Sequence, residues 1–222
     1  MSNYLLVTDG DSEIRVPAWV QDHASFLRWA TSPEAPEKGK YAYLGDHLWI
    51  EGSIETHLHN LIKSEIAFIL GPWIKQQKLG RYYTDGMLMS RPDLNFSSQP
   101  DGMFVSSDSR ESGKVTLEHH DKSLVLMGTP DMVLEVVSKS STLKDQKDKK
   151  DLYHAAGVSE YWMVDSRLDS PELVIYRHTT KRYISVKADK GWLASKVFGR
   201  SFRLEVEGAT LKDREVNLLM KE

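Results

Sequence analysis

Residues 132–137 read Met-Val-Leu-Glu-Val-Val, a β-branched run of the length of a buried strand. A helical stretch follows from about Thr142 to Ala156 and is stopped by Gly157. Glu160 to Asp165 is the next strand. This strand–helix–strand order lays a helix against a sheet, the signature of mixed α/β architecture. One residue breaks the pattern. Strand alternation puts Glu135 on the same face as Val133 and Val137. A carboxylate in such a run is costly unless it is paired or binds a metal. The alternative, an edge strand with Glu135 in water, fits poorly because the flanking residues are apolar on both faces.

Upstream, Glu55 to Trp73 carries Leu58, Leu61, Ile62, Ile66, Ile69, Leu70 and Trp73, the apolar stripe of an amphipathic helix disturbed at its end by Gly71-Pro72. Tyr41 to Ile50 reads as a hairpin turning at Gly45-Asp46. Tyr4 to Thr8 reads as a short strand and His23 to Ala30 as a short helix. Arg81 to Met89 reads as one strand, Arg91 to Gln99 as a polar loop, Pro100 to Val105 as a short strand and Ser106 to Lys122 as a charged surface loop. Downstream, residues 172–206 read as a β-meander, with strands near 173–177, 183–187 and 192–198.

Composition narrows the function classes. The chain of 222 residues is 40% hydrophobic and 27% charged, as expected of a globular protein with one well-buried core. Without cysteine it has neither disulfides nor a thiolate metal site. The N-terminal segment lacks the pattern of a signal peptide, and no apolar run approaches the roughly 20 residues of a membrane span. These features point to a soluble protein of the cytoplasm. A net charge of −3 argues against a simple nucleic-acid-coating protein.

Three more residues join Glu135 as candidates. Asp101, in Gln99-Pro100-Asp101, starts a short strand; alone, it reads equally as a turn or capping residue, and Pro130-Asp131 repeats the dipeptide. Glu65 lies inside the helical stripe, either facing the sheet or paired at the stripe's edge. On the second helix Asp145, Lys149, Leu152, Tyr153 and Ala156 share a face, so Lys149 is the lysine best placed to point inward, its stem packed and its ammonium at a site. The other lysines there read as a solvated face, although Lys139, Lys144, Lys147, Lys149 and Lys150 together also suit phosphate contacts. Carboxylates plus a lysine suit phosphodiester hydrolysis: carboxylates hold a hard cation, and a lysine positions water or stabilises the transition state. A histidine site is a weaker option. His57 and His59, two apart on a helix, point in different directions, and His119-His120 lies in a charged loop.

Residues 129–138, Ser140-Ser141-Thr142, Asp145, Lys149, Leu152-Tyr153 and Ala156 to Asp165 resemble the Uma-type family of restriction endonucleases in the PD-(D/E)XK nuclease superfamily. Gln99-Pro100-Asp101 with Phe104-Val105 matches the family's metal-binding aspartate, and His59 to Ile62 matches the start of its first helix. The resemblance covers roughly 41–177 and takes 1–222 as a single domain. It implies an α/β, restriction-endonuclease-like fold: a central mixed β-sheet flanked by helices, here with a C-terminal β-meander. It implies Mg²⁺ or Mn²⁺ held by Asp101 and Glu135 with the Val136 carbonyl, catalysis with Lys149 and Glu65, and DNA as substrate, with a homodimer as one way to cut both strands. Val137 stands where the superfamily often has lysine, and Lys149 from the next helix takes that place, with Lys147 and Lys150 as substitutes. The alternative is an inactive module of the same fold that binds nucleic acid or protein.

Overall fold

The protein is described by a computed structural model over residues 4–9, 12–36, 39–51, 55–118, 120–137, 143–167, 170–208 and 213–222. In chain order, the hairpin of β1 (Tyr4–Asp9) and β2 (Ser12–Pro17) precedes α1 (His23–Ala30) and the hairpin of β3 (Lys40–Leu44) and β4 (His47–Glu51). The long helix α2 (His57–Gln76) leads into β5 (Gly80–Thr84), β6 (Leu88–Arg91), β7 (Phe96–Ser98) and β8 (Gly102–Ser106). Then come α3 (Ser107–Glu111), β9 (Val115–Thr116), β10 (Val125–Gly128), β11 (Met132–Val137), α4 (Leu143–Ala155) and β12 (Glu160–Asp165). The chain closes with β13 (Glu172–Arg177), β14 (Ile184–Ser185), β15 (Leu193–Ser195), β16 (Arg200–Glu207) and β17 (Glu215–Lys221).

The central sheet has the order β14-β13-β12-β11-β8-β5. It is mixed: β11 and β12 run parallel, joined by α4 as the crossover, and the other pairs are antiparallel. β11 is buried along its whole length, so alternation separates two apolar environments rather than core from water. Met132, Leu134 and Val136 join Ile62, Ile66 and Leu70 of α2 and Phe202 and Leu218 of the C-terminal sheet. Val133 faces the other way, into a cluster with Tyr153 of α4, Ala156 just after it, and Ala42, Met89 and Phe96 of a second sheet, ordered β4-β3-β7-β6-β10-β9. The central sheet is therefore covered on both faces. Burying Ile62, Ile66, Leu70 and Ile74, spaced four apart, fixes α2; at about 1.5–3 kcal/mol each, this exceeds its intrinsic helix propensity.

The flanked mixed sheet and C-terminal strands agree with the sequence reading, but several boundaries differ. Residues 81–89 are not one strand. β5 belongs to the central sheet and β6 to the second, with the positive-φ Gly86 in the turn between them. The stretch 91–99 contains β7, and 106–122 contains α3 and β9. Helix α2 runs through Pro72 to Gln76. The meander keeps β13 but reduces 183–187 to β14 and 192–198 to β15. β16, at the end of that span, and β17 beyond it form a separate sheet with β15 that packs on α2.

Candidate metal and catalytic site

Strand register explains why two carboxylates far apart in sequence meet. β8 and β11 are antiparallel, with Leu134 opposite Gly102. Continued one step past that last pair, the register would set Glu135 across from Asp101, and both carboxylates act on the ammonium of Lys40. The ladder has ended there, so the N–H of Val136 has no strand partner on that side; the Asp101 Oδ2 accepts it at 2.6 Å. Gly102 is needed next to Asp101 because a Cβ there would stand 2.1 Å from the Tyr82 hydroxyl.

The other oxygen of Asp101 faces cations. Lys40, at the start of β3, makes an ion pair and hydrogen bond to Oδ1. His59 Nε2 lies 3.4 Å away and Lys63 Nζ 3.9 Å away, both from α2 one turn apart. Glu55 joins from just before that helix, 3.0 Å from Lys40, 3.5 Å from His59 and ion-paired to Lys63. Asp85, at the end of β5, lies 2.8 Å from Lys63 and 3.7 Å from Lys40. Burial alone would raise the Asp101 carboxyl, but the His59 hydrogen bond and the Lys40 charge outweigh it and hold it well below the carboxylate range. Burial alone would depress the Lys40 ammonium; Asp101 foremost, then Asp85 and Glu135, raise it instead. Glu55 is likewise held low, the hydrogen bonds from Lys63 and Lys40 overcoming its burial.

Glu135 points to the α4 side of the sheet. Its Oε1 accepts the Tyr153 hydroxyl at 2.6 Å, and its Oε2 lies 3.7 Å from Lys149 Nζ. Tyr153 and Lys149 are four apart on α4, so one helix face delivers both. The Tyr153 oxygen in turn accepts from the Ser98 hydroxyl, 3.1 Å away. Burial, then the Glu135 charge, pushes the Tyr153 hydroxyl far up, so it stays a neutral donor that fixes the carboxylate.

The structure thus brings Asp101, Glu135 and Lys149 into one neighbourhood. It does not bring Glu65 there. Two residues on from Lys63, Glu65 is turned about 200° around α2, and its Oε1 accepts the Leu218 N–H of β17 at 3.0 Å. The acid inside the stripe serves the C-terminal sheet. Lys147 is exposed, and Lys150 Nζ sits 3.5 Å from the Tyr176 ring centroid. Lys139, His119 and residues 138–142 lie outside the described residues, as do the side chains of His120, Lys144 and Asp145. His57 is exposed while His59 is buried, so the two do not chelate together, yet His59 joins the carboxylates singly. Sequence reasoning missed Lys40, Glu55, Lys63 and Asp85; the i, i+4 pair His59 and Lys63 was the available signal for part of this set.

Two sets of groups bear on cation binding. Asp101 and Glu135 supply hard oxygen donors, and the Val136 carbonyl shares the side of its N–H, towards Asp101. Independently, one ligand atom each from Glu55, His59 and Asp101 lies within 4.8 Å of the others. Among the described residues, the buried His59 Nδ1 and Tyr82 hydroxyl beside Asp101 have no hydrogen-bond partner. Such orphaned polar atoms suit the shell of a hydrated ion.

A family model described as "Uma2: Putative restriction endonuclease" matches residues 23–207. The chain belongs to the Uma2 family. The Uma2 match spans α1 to the end of β16 and so contains every residue of the cluster. A crystal structure of "a putative nuclease belonging to DUF820 from Anabaena variabilis ATCC 29413" is similar in fold, with a TM-score of 0.61 at 14% identity, covering 80% of this chain and 90% of that one. No curated protein matches the chain. No helix among the described residues is long and apolar enough to cross a membrane.

Proposed function

We propose that this Uma2 protein is a metal-dependent endonuclease that hydrolyses phosphodiester bonds of DNA at the Asp101–Glu135 cluster. The observation that supports the reading is that Asp101 and Glu135, beside the end of the β8/β11 ladder, both lie close enough to act on Lys40, with the Lys149 ammonium 3.7 Å from Glu135. Asp101, Glu135 and the Val136 carbonyl would hold Mg²⁺ or Mn²⁺, with Glu55 and His59 on the other side of Asp101. When bound, such an ion lowers the pKa of a water and neutralises charge building on the phosphate. The chain's own residues do the rest. Tyr153 clamps Glu135 in one orientation, the Val136 N–H clamps Asp101, and Lys149 orients the attacking water against the phosphate. Lys40 and Lys63 offset the negative charge of the cluster and so keep Asp101 and Glu55 ionised. The same reading places the protein in the cytoplasm, with a pair of copies cutting the two strands.

The Lys40 ammonium on Asp101 favours a second reading, an ion-paired and catalytically silent nuclease fold that binds nucleic acid or protein. Plasmid cleavage with Mg²⁺ or Mn²⁺ separates the two. Wild type should cut, and Glu135→Ala should lose at least about 10²-fold, the scale of removing one key electrostatic group. Equal cutting by both proteins would remove Glu135 from the mechanism.

A further inference from the structure

The cluster has a shortage of positive charge for a polyanion. Three lysines (Lys40, Lys63 and Lys149) face four carboxylates (Glu55, Asp85, Asp101 and Glu135). The whole chain carries −3. Non-specific affinity for DNA comes from Lys and Arg contacts to phosphates, so these must be supplied elsewhere.

One open cleft has that character. It lies where α2 turns into β5, against α3, with a volume of about 680 Å³. Of the ten residues that line it, four are cationic and none is acidic: Lys75, Lys78, Arg81 and Arg110 stand beside Tyr83 and Ser107. All four cations are exposed, and among the described residues none has an ion-pair partner. Asp108 and Glu111 of α3 do not line it; Asp121 lines the adjoining hollow that shares Arg81, Tyr83 and Arg110. The floor is built rather than incidental. Lys78 takes a left-handed φ of 56° in the tight turn out of α2. The Ser107 N–H donates to the Leu79 carbonyl at 2.9 Å, tying α3 to that turn.

The cleft and the cluster sit at opposite ends of the same two elements. Along α2, Lys63 at the cluster and Lys75 at the cleft are separated by about 18 Å. From Arg81 along β5 to Asp85, just past the strand's end, is about 13 Å. At 3.4 Å per base pair these spans correspond to about four to five base pairs of duplex.

We infer that the Lys75–Lys78–Arg81–Arg110 cleft docks the phosphodiester backbone of duplex DNA about four to five base pairs from the bond presented to the cluster, an assignment that rests on the nuclease reading. The cleft holds sequence-independent phosphate contacts and brings the flank of the substrate to a site that would otherwise repel it.

The test is fluorescence anisotropy with a labelled 20-base-pair duplex in EDTA, across a salt series. The fourfold variant Lys75→Ala/Lys78→Ala/Arg81→Ala/Arg110→Ala should bind at least about tenfold more weakly than wild type at 0.1 M salt. Its slope of log affinity against log salt should be shallower by about 3–4, one for each lost phosphate contact. An Arg81→Lys/Arg110→Lys variant should keep the slope, and an unchanged melting curve should accompany the exposed substitutions. A fourfold variant with the wild-type slope would overturn the docking assignment, as would a wild type without salt-dependent binding. If Glu135→Ala abolishes plasmid cleavage while the slope survives the fourfold substitution, the cleft assignment alone fails. If Glu135→Ala cuts like wild type while the slope is lost, the catalytic reading alone fails.

Discussion

Two Pro–Asp pairs sit at opposite ends of the same two strands. Pro100-Asp101 precedes β8 and Pro130-Asp131 precedes β11, and because the strands are antiparallel, each aspartate lies beside the end of the other strand. Their backbone roles match. Asp101 Oδ2 accepts the Val136 N–H at 2.6 Å, and Asp131 Oδ2 accepts the Ser106 N–H at 2.7 Å. Each closes a ladder that has run out of partners. The difference lies in the second oxygen. That of Asp131 is taken by the Ser109 hydroxyl at 2.8 Å and by Lys114 at 2.9 Å, with 14% of the side chain exposed. That of Asp101 meets Lys40, His59 and Lys63 at 2% exposure, opposite Glu135. The local dipeptide specifies a strand-end cap. Groups from β3 and α2 convert one copy into a charged centre.

Activity offers the widest break in this symmetry. Asp101→Asn should lower cleavage of plasmid DNA by at least about 10²-fold, whereas Asp131→Asn, assayed well below its melting temperature, should stay within a few-fold of wild type. Comparable losses in both would show that the two aspartates share a structural role and that the cluster is not special. Stability comes next. Asp101→Ala leaves Lys40 and Lys63 facing a vacated acceptor and should cost about 3–5 kcal/mol in urea unfolding, the scale for breaking a buried pair. Asp131→Ala should cost about 2–3 kcal/mol, since its charge-assisted bonds from Ser106 and Ser109 are partly buried and the Lys114 contact is half exposed. A larger loss at Asp131 would reverse the ranking of the two environments.

What could be read from the sequence follows from the same contrast. The β11–α4–β12 block was legible because its elements are contiguous and their periods distinct. Glu135 stood out as a carboxylate within it, and helical spacing alone singled out Lys149. Asp101 could be paired with Glu135 only through resemblance, since nothing local distinguishes it from Asp131. Lys40 and Asp85 were not legible. They sit at a strand start and in a turn, where a charged residue needs no explanation, and only tertiary register makes them neighbours. Glu65 misled for a related reason. Its place in the stripe of α2 correctly implied a covered face, but β17, more than 150 residues away, covers it. Burial of an acid is not itself a mark of chemistry either. Glu160 is 1% exposed, yet donors from Trp162, Ser195, Lys196 and Val197 satisfy it, and it joins β12 to the C-terminal strands.

The smallest expected effect is in the acid range, and it tests whether Asp131 is a charged cap at all. Burial pushes its carboxyl up, but the Ser106 N–H, Lys114 and the Ser109 hydroxyl outweigh this and hold it below the ordinary value. A carboxyl whose folded pKa lies below its unfolded value, about 3.9, binds protons more readily in the unfolded chain. Its contribution is therefore full above that value and is lost as pH falls through the folded one. The unfolding free energy of wild type should exceed that of Asp131→Asn at pH 7, and the gap should narrow as the pH falls below about 4. Urea titrations of the two proteins at pH 7, 5, 4 and 3 measure it. A gap that stays constant to pH 3 would mean that the loss in the variant comes from packing and amide geometry rather than from the charge. The two strand ends would then differ in chemistry as well as in surroundings.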